Sequence, residues 1–186
     1  MKKDGPAIKQ LFKKDCTNFI RQPLRMKHLF FLLLSLPFFA QSQDCKLVKE
    51  VDPYTKEVKL STGFISLPGS TLTVDADSKE LDFFFEVSGK CFNDASTVYI
   101  FFEGSRTRMT YRNAGSMNCD GYFHFKFRNG ASTPGILTKL GTQKVTQFIF
   151  KATDSKETII TLTPDQQKLL MEKVTCITAE GKTLVK

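Results

Sequence analysis

The sequence predicts an all-β fold, an antiparallel two-sheet β-sandwich with one short C-terminal α-helix. Three observations point there. Apolar and polar residues alternate with a period of two in one short segment after another. Turn-forming pairs separate those segments: Asp52-Pro53, Pro68-Gly69, Glu103-Gly104, Asp120-Gly121, Asn129-Gly130 and Pro134-Gly135. Only the stretch after Thr163 carries a full set of helix-start signals.

Taken in order, weak strands are expected at 46–51, 55–60, 63–67 and 71–74, where β-branched residues recur between turns. The alternation sharpens at 81–87, with Leu81, Phe83, Phe85 and Val87 on one face and Asp82 and Glu86 on the other. In 97–103, Val98, Ile100 and Phe102 form the inner face. A weak strand at 108–111 follows. The clearest strand is 122–127, where Phe123, Phe125 and Phe127 alternate with Tyr122, His124 and Lys126. Two more strands are expected at 144–151 and 157–162. Thr163 then opens a helix as its cap, Pro164 suits the first turn, and Gln166 completes a capping box. That helix is expected to run to about Val174 with Leu169, Leu170 and Val174 inward, ending just before Cys176.

The chain reads in three parts. From Met26, Lys27 and His28 precede eleven uncharged residues, Leu29 to Phe39, and then Ala40-Gln41-Ser42. This is the layout of a secretory signal cut before Gln43. Such a run covers only about 18 Å as a helix, too short for roughly 30 Å of bilayer hydrocarbon. Residues 26–42 are therefore read as a signal peptide that leaves no stable membrane span. Residues 1–25 are read as an upstream extension outside the fold, and 43–186 as a single exported domain. Cys45 follows Ser42-Gln43-Asp44, too polar for a lipid-attachment site, and is read as a structural thiol.

Charge excludes one function class. The first 42 residues carry eight Lys/Arg and two Asp/Glu, leaving 19 basic and 17 acidic residues beyond them (27 less 8, and 19 less 2). A net charge of +2 makes no case for nucleic acid. The four later cysteines, Cys45, Cys91, Cys119 and Cys176, lie at least 28 residues apart, which suits disulfides and not a zinc cluster. The pairing expected is Cys91–Cys119 and Cys45–Cys176. The first would join the end of one strand to the start of its antiparallel neighbour; the second would tie the two ends of the domain.

Catalytic signals are sparse. Residues 43–186 hold one histidine, His124, on the outward face of its strand, and no Gly-x-Ser-x-Gly elbow accompanies it. Asp75-Ala-Asp77 begins like a calcium loop but lacks its later glycine and glutamate, so a polar turn explains it. No phosphate-cradling glycine loop or metal-spaced histidine set is present, and the sequence calls for no metal and no cofactor. Arg106, Arg108, Tyr111 and Arg112 form a basic, partly aromatic edge suited to an anionic partner, though charge also protects an edge strand from pairing. The function expected is thus a non-catalytic binding or interaction module of the cell envelope or extracellular space, meeting an envelope protein or an anionic glycan. Its rivals are a secreted hydrolase of polysaccharide or peptide using Asp75, Asp77, Asp120 or His124, and a structural subunit of a surface assembly.

Overall fold

The computed structural model describes residues 45–154 and 156–185. The upstream extension 1–25, the signal peptide 26–42 and its cleavage point before Gln43 lie outside the described residues.

Two antiparallel sheets are present. Sheet I holds β1 (Val48–Val51), β2 (Val58–Ser61), β4 (Ser70–Ala76), β5 (Glu80–Val87) and β8 (Tyr122–Arg128) in that spatial order, with β3 (Ile65–Leu67) also paired to β4. Sheet II runs β10 (Glu157–Thr161), β9 (Val145–Lys151), β6 (Thr97–Phe102), β7 (Met109–Arg112). All ten strands overlap the expected segments, and in β3, β4, β5, β6 and β8 buried residues alternate with more exposed ones, whereas β1 is exposed throughout. In β5, Leu81, Phe83, Phe85 and Val87 are all at most 1 % exposed.

Phenylalanine joins the sheets. Phe83 of β5 stacks on Phe125, its cross-strand neighbour in β8, with centroids 5.1 Å apart and rings nearly parallel. Phe85 reaches across the sandwich to Phe148 and Phe150 of β9, each at 5.1 Å and steeply tilted. Each such side chain contributes about 1.5–3 kcal/mol by leaving water, and aromatic pairing adds roughly 0.5–1.5 kcal/mol.

Two helices accompany the sheets. The C-terminal helix α2 (Pro164–Gly181) starts as the sequence dictates: Thr163 Oγ1 accepts from the Gln166 amide, and Gln166 Oε1 accepts from the Thr163 amide. Gln166 Nε2 also donates to the Ser66 carbonyl, fixing the helix start to β3. The helix continues seven residues past Val174 (Gly181 against 174), so Cys176 lies within it rather than beyond its end. Leu170, Val174 and Ile177 form its buried stripe, and Leu169, expected inward, is 40 % exposed. A second helix, α1 (Gly135–Thr142), was not expected; Leu137 and Leu140 bury it against the core. A short 3-10 turn, Lys182–Leu184, follows α2.

The cysteines meet as paired above. Cys45 lies at disulfide distance from Cys176, with Cα atoms 5.7 Å apart, and Cys91 from Cys119, with Cα atoms 3.9 Å apart. The second pair follows from sheet register. Glu86 faces Tyr122, the Val87 amide donates to the Gly121 carbonyl, and an isolated bridge joins Phe92 to Asn118. Gly121 is obligatory there: its φ is +83°, and a Cβ would run into the backbone of Val87.

Beyond β8 the sheet edge is closed by two side-chain amides and by the Ala114 amide, which donates to the His124 carbonyl, rather than by a strand. Asn118 accepts from the Tyr122 amide and donates to its carbonyl, and Asn113 Oδ1 accepts from the His124 amide. This covers backbone groups that an open edge would offer to another chain.

Candidate functional site

The basic edge separates into inward and outward residues. In β7, Met109 and Tyr111 point to the core while Thr110 and Arg112 point out. Tyr111 stacks on Phe125 at 4.9 Å and meets Phe127 edge-on at 5.3 Å. Burial pushes its phenol above the ordinary tyrosine range. Tyr111 is thus a core residue, set apart from the three arginines.

The outer face of sheet II gathers the others. Strand register places Tyr99 of β6 beside Thr110 on one side and Ile149 of β9 on the other, and Ile149 beside Ile159 of β10. Phe101 lies on the same face, two residues along β6. The Arg108 guanidinium sits 3.9 Å from the centre of the Tyr99 ring, a cation–π contact worth about 0.5–1 kcal/mol when exposed. Arg112 and Lys151 face Thr97 from either side, and Arg106 lies exposed in the loop before β7. Arg112 Nε donates to the Asp94 carbonyl. Arg106, Arg108, Arg112 and Lys151 make no ion pair among the described residues, although Glu157 stands opposite Lys151 in the β9–β10 ladder; Glu103, before the arginines in sequence, pairs with Lys144. Tyr99, Phe101 and Ile149, half-buried, and Ile159, 57 % exposed, therefore form an apolar row with three arginines outside any described ion pair beside it. Sequence reasoning located its three arginines but not its apolar centre. Those residues come from three strands, and only the sheet order shows them to be neighbours.

The proposed acid–base residues scatter. On the outer face of sheet I, His124 Nδ1 lies 3.0 Å from Asp82, whose carboxylate is also 3.6 Å from Lys126. Asp75, opposite Asp82 in the β4–β5 ladder, bonds Lys59 at 2.8 Å and holds that ammonium above the usual lysine range. Glu80 does the same for Lys126. Asp77 spends Oδ1 on the amides of Lys79 and Glu80 in the β4–β5 turn. Asp120 is an exposed loop residue. A Cβ at Gly115 would stand only 2.9 Å from His124 Nε2, so the loop backbone closes over the ring. Neither His124 nor any of these aspartates lines the cavities of about 580–650 Å³. The face is a row of carboxylates paired off with cations along a sheet, with no hydroxyl positioned against the imidazole among the described hydrogen bonds.

The cavity of about 650 Å³ lies elsewhere, between the 129–134 loop, the β4–β5 turn and the C-terminal turn. Asn129, 6 % exposed, organises it: Nδ2 donates to the Asp77 and Gly181 carbonyls, both at 2.7 Å, and its amide donates to the Lys79 carbonyl.

Among the described residues, no group of three or more His, Cys, Asp and Glu side chains could hold a metal, and no helix is long and apolar enough to cross a membrane. The two cysteine pairs fit an oxidising location outside the cytosol, extracellular or periplasmic. No protein-family model, no curated protein and no solved structure matches the chain.

Proposed function

We propose that this protein is an exported, non-catalytic interaction module, released by cleavage before Gln43, that docks the outer face of sheet II onto an acidic protein of the cell envelope or extracellular space. One observation carries the reading: a row of half-buried to exposed apolar side chains, Tyr99, Phe101, Ile149 and Ile159, bordered by Arg108 and Arg112, which make no described ion pair. Aromatic and arginine residues around an apolar centre are the composition of protein interfaces, where the centre excludes water and the rim supplies charge. A protein partner is favoured over a glycan because Arg108 already covers one face of the Tyr99 ring, the surface on which a sugar would stack. Arginines outside any described ion pair ask for carboxylates opposite them and would steer association in a salt-dependent way.

The test is retention of envelope components on the immobilised, oxidised protein. A retained acidic protein is expected, released by raised salt and lost when Ile159→Asp and Arg112→Glu are combined. A retained component that survives protease digestion would make the partner an anionic glycan. Retention unaffected by the double substitution would refute the use of this face.

A further inference from the structure

We propose that the cleft around Asn129 binds a phosphate- or sulfate-bearing ligand of about sugar size. Its lining residues include Lys79 from the β4–β5 turn and Arg128 from the end of β8. A narrow crevice that shares Arg128 and the 129–134 loop adds Lys182 from the end of α2. Among the described residues lining either space, none is acidic. The three cations make no ion pair among the described residues, and the acids of the same turn are engaged elsewhere, Asp77 on backbone amides and Glu80 on Lys126. Cations brought together from three separate segments repel one another until an anion joins them.

The lining also offers neutral donors. Ser78, Ser132 and Thr133 line the cavity with hydroxyls.

The arrangement is held in place before any ligand arrives. Each cation is within two residues of a backbone group bonded by Asn129: Lys79 follows Asp77, Arg128 precedes Asn129 itself, and Lys182 follows Gly181. One buried amide thus fixes the backbone beside all three charges, so binding has only the side chains left to order.

Volume and charge together define the ligand class. About 650 Å³ is the size of a small-molecule site and far exceeds a bare oxyanion. Positive groups approaching from three segments suit a tetrahedral oxyanion with several terminal oxygens better than a planar carboxylate, which a single arginine fork would satisfy. The shared chemistry is a phosphoryl or sulfuryl group on a polar body, either a free sugar phosphate or a lipid headgroup.

Calorimetric titration of the full exported chain, with both disulfides formed, tests this. The probes are glucose 1-phosphate, glucose, and vesicles of phosphatidylcholine with or without phosphatidylglycerol. Glucose 1-phosphate should bind and glucose should not. Arg128→Gln with Lys182→Gln should weaken binding by about 10-fold to 100-fold, the worth of a charge-assisted hydrogen bond. Both side chains lie outside any described ion pair, so the fold should persist; Lys79→Gln alone supplies a second, independent reduction. Binding to phosphatidylglycerol vesicles only, with the same loss in the variants, assigns the oxyanion to a lipid headgroup. The proposal is overturned if neither phosphate-bearing probe binds below about 10 mM, if glucose binds as tightly as its phosphate, or if the variants bind as the parent does.

Discussion

Replacing Asn129 by alanine removes one side chain that holds three segments. Its Nδ2 makes two hydrogen bonds of 2.7 Å, one to the buried Gly181 carbonyl at the end of α2 and one to the part-buried Asp77 carbonyl. Leaving the first carbonyl without a donor costs about 1–3 kcal/mol, and losing the second bond about 0.5–1.5 kcal/mol. The two together predict a loss of about 2–4 kcal/mol. For a domain of this size each kcal/mol lowers Tm by roughly 3–5 °C, so the fall should be about 10 °C. Asn129→Asp should cost more, because a carboxylate only accepts and would face two carbonyl oxygens. Urea unfolding of the oxidised protein gives the comparison, with an unchanged m-value showing that the native state is still compact. A loss below about 0.5 kcal/mol, within the range of ordinary surface changes, would refute the claim that this amide organises the cleft.

Other perturbations address the rest of the molecule. Removing the Cys91–Cys119 pair, 28 residues apart, should cost about 3.5 kcal/mol on chain entropy, and removing Cys45–Cys176, 131 apart, about 5 kcal/mol; urea midpoints that show no loss, or the reverse order, would contradict the pairing or the model. Tyr111, whose phenol is raised by burial, supports the fold below the unfolded tyrosine value of about 10 and loses that support as pH rises through the folded value. Stability measured from about pH 9 to about pH 11 should therefore fall more for the parent than for Tyr111→Phe. His124→Ala leaves Lys126 beside Asp82 and should change stability by less than about 1 kcal/mol, without touching any binding at sheet II. A larger loss would mean that the His124–Asp82 pair acts as a buried one.

The strands were legible because the sandwich buries one face of most of them, and burial writes itself into sequence as alternation. The 122–127 segment shows this residue by residue. Helix α1 was not legible: Pro134 offers no side-chain cap, glycines stand at 135 and 141, and eight residues give too few turns for a clear period. Helix α2 announced its start through Thr163 and Gln166 but not its end, since Cys176 and Ile177 continue its buried stripe past Val174. At the candidate site, alternation in Met109-Thr110-Tyr111-Arg112 already set Tyr111 opposite Arg112, a signal masked by reading the four site residues as one edge. Tyr99, Ile149 and Ile159 became neighbours only through the order β10-β9-β6, which no local pattern encodes. The cleft depends likewise on three distant segments meeting at Asn129.

Photo-crosslinking from single positions in the exporting cell tests the proposed docking face most directly. A crosslinker at Ile149 or Ile159, on the outer face of sheet II, should capture one acidic envelope or extracellular protein, and Arg108→Glu with Arg112→Glu should abolish the capture. The same crosslinker at Thr73 or Phe84, on the outer face of sheet I, should capture nothing in common with it. Capture from sheet I alone, or equal capture from both sheets regardless of the arginines, would contradict the assignment of sheet II as the interaction surface.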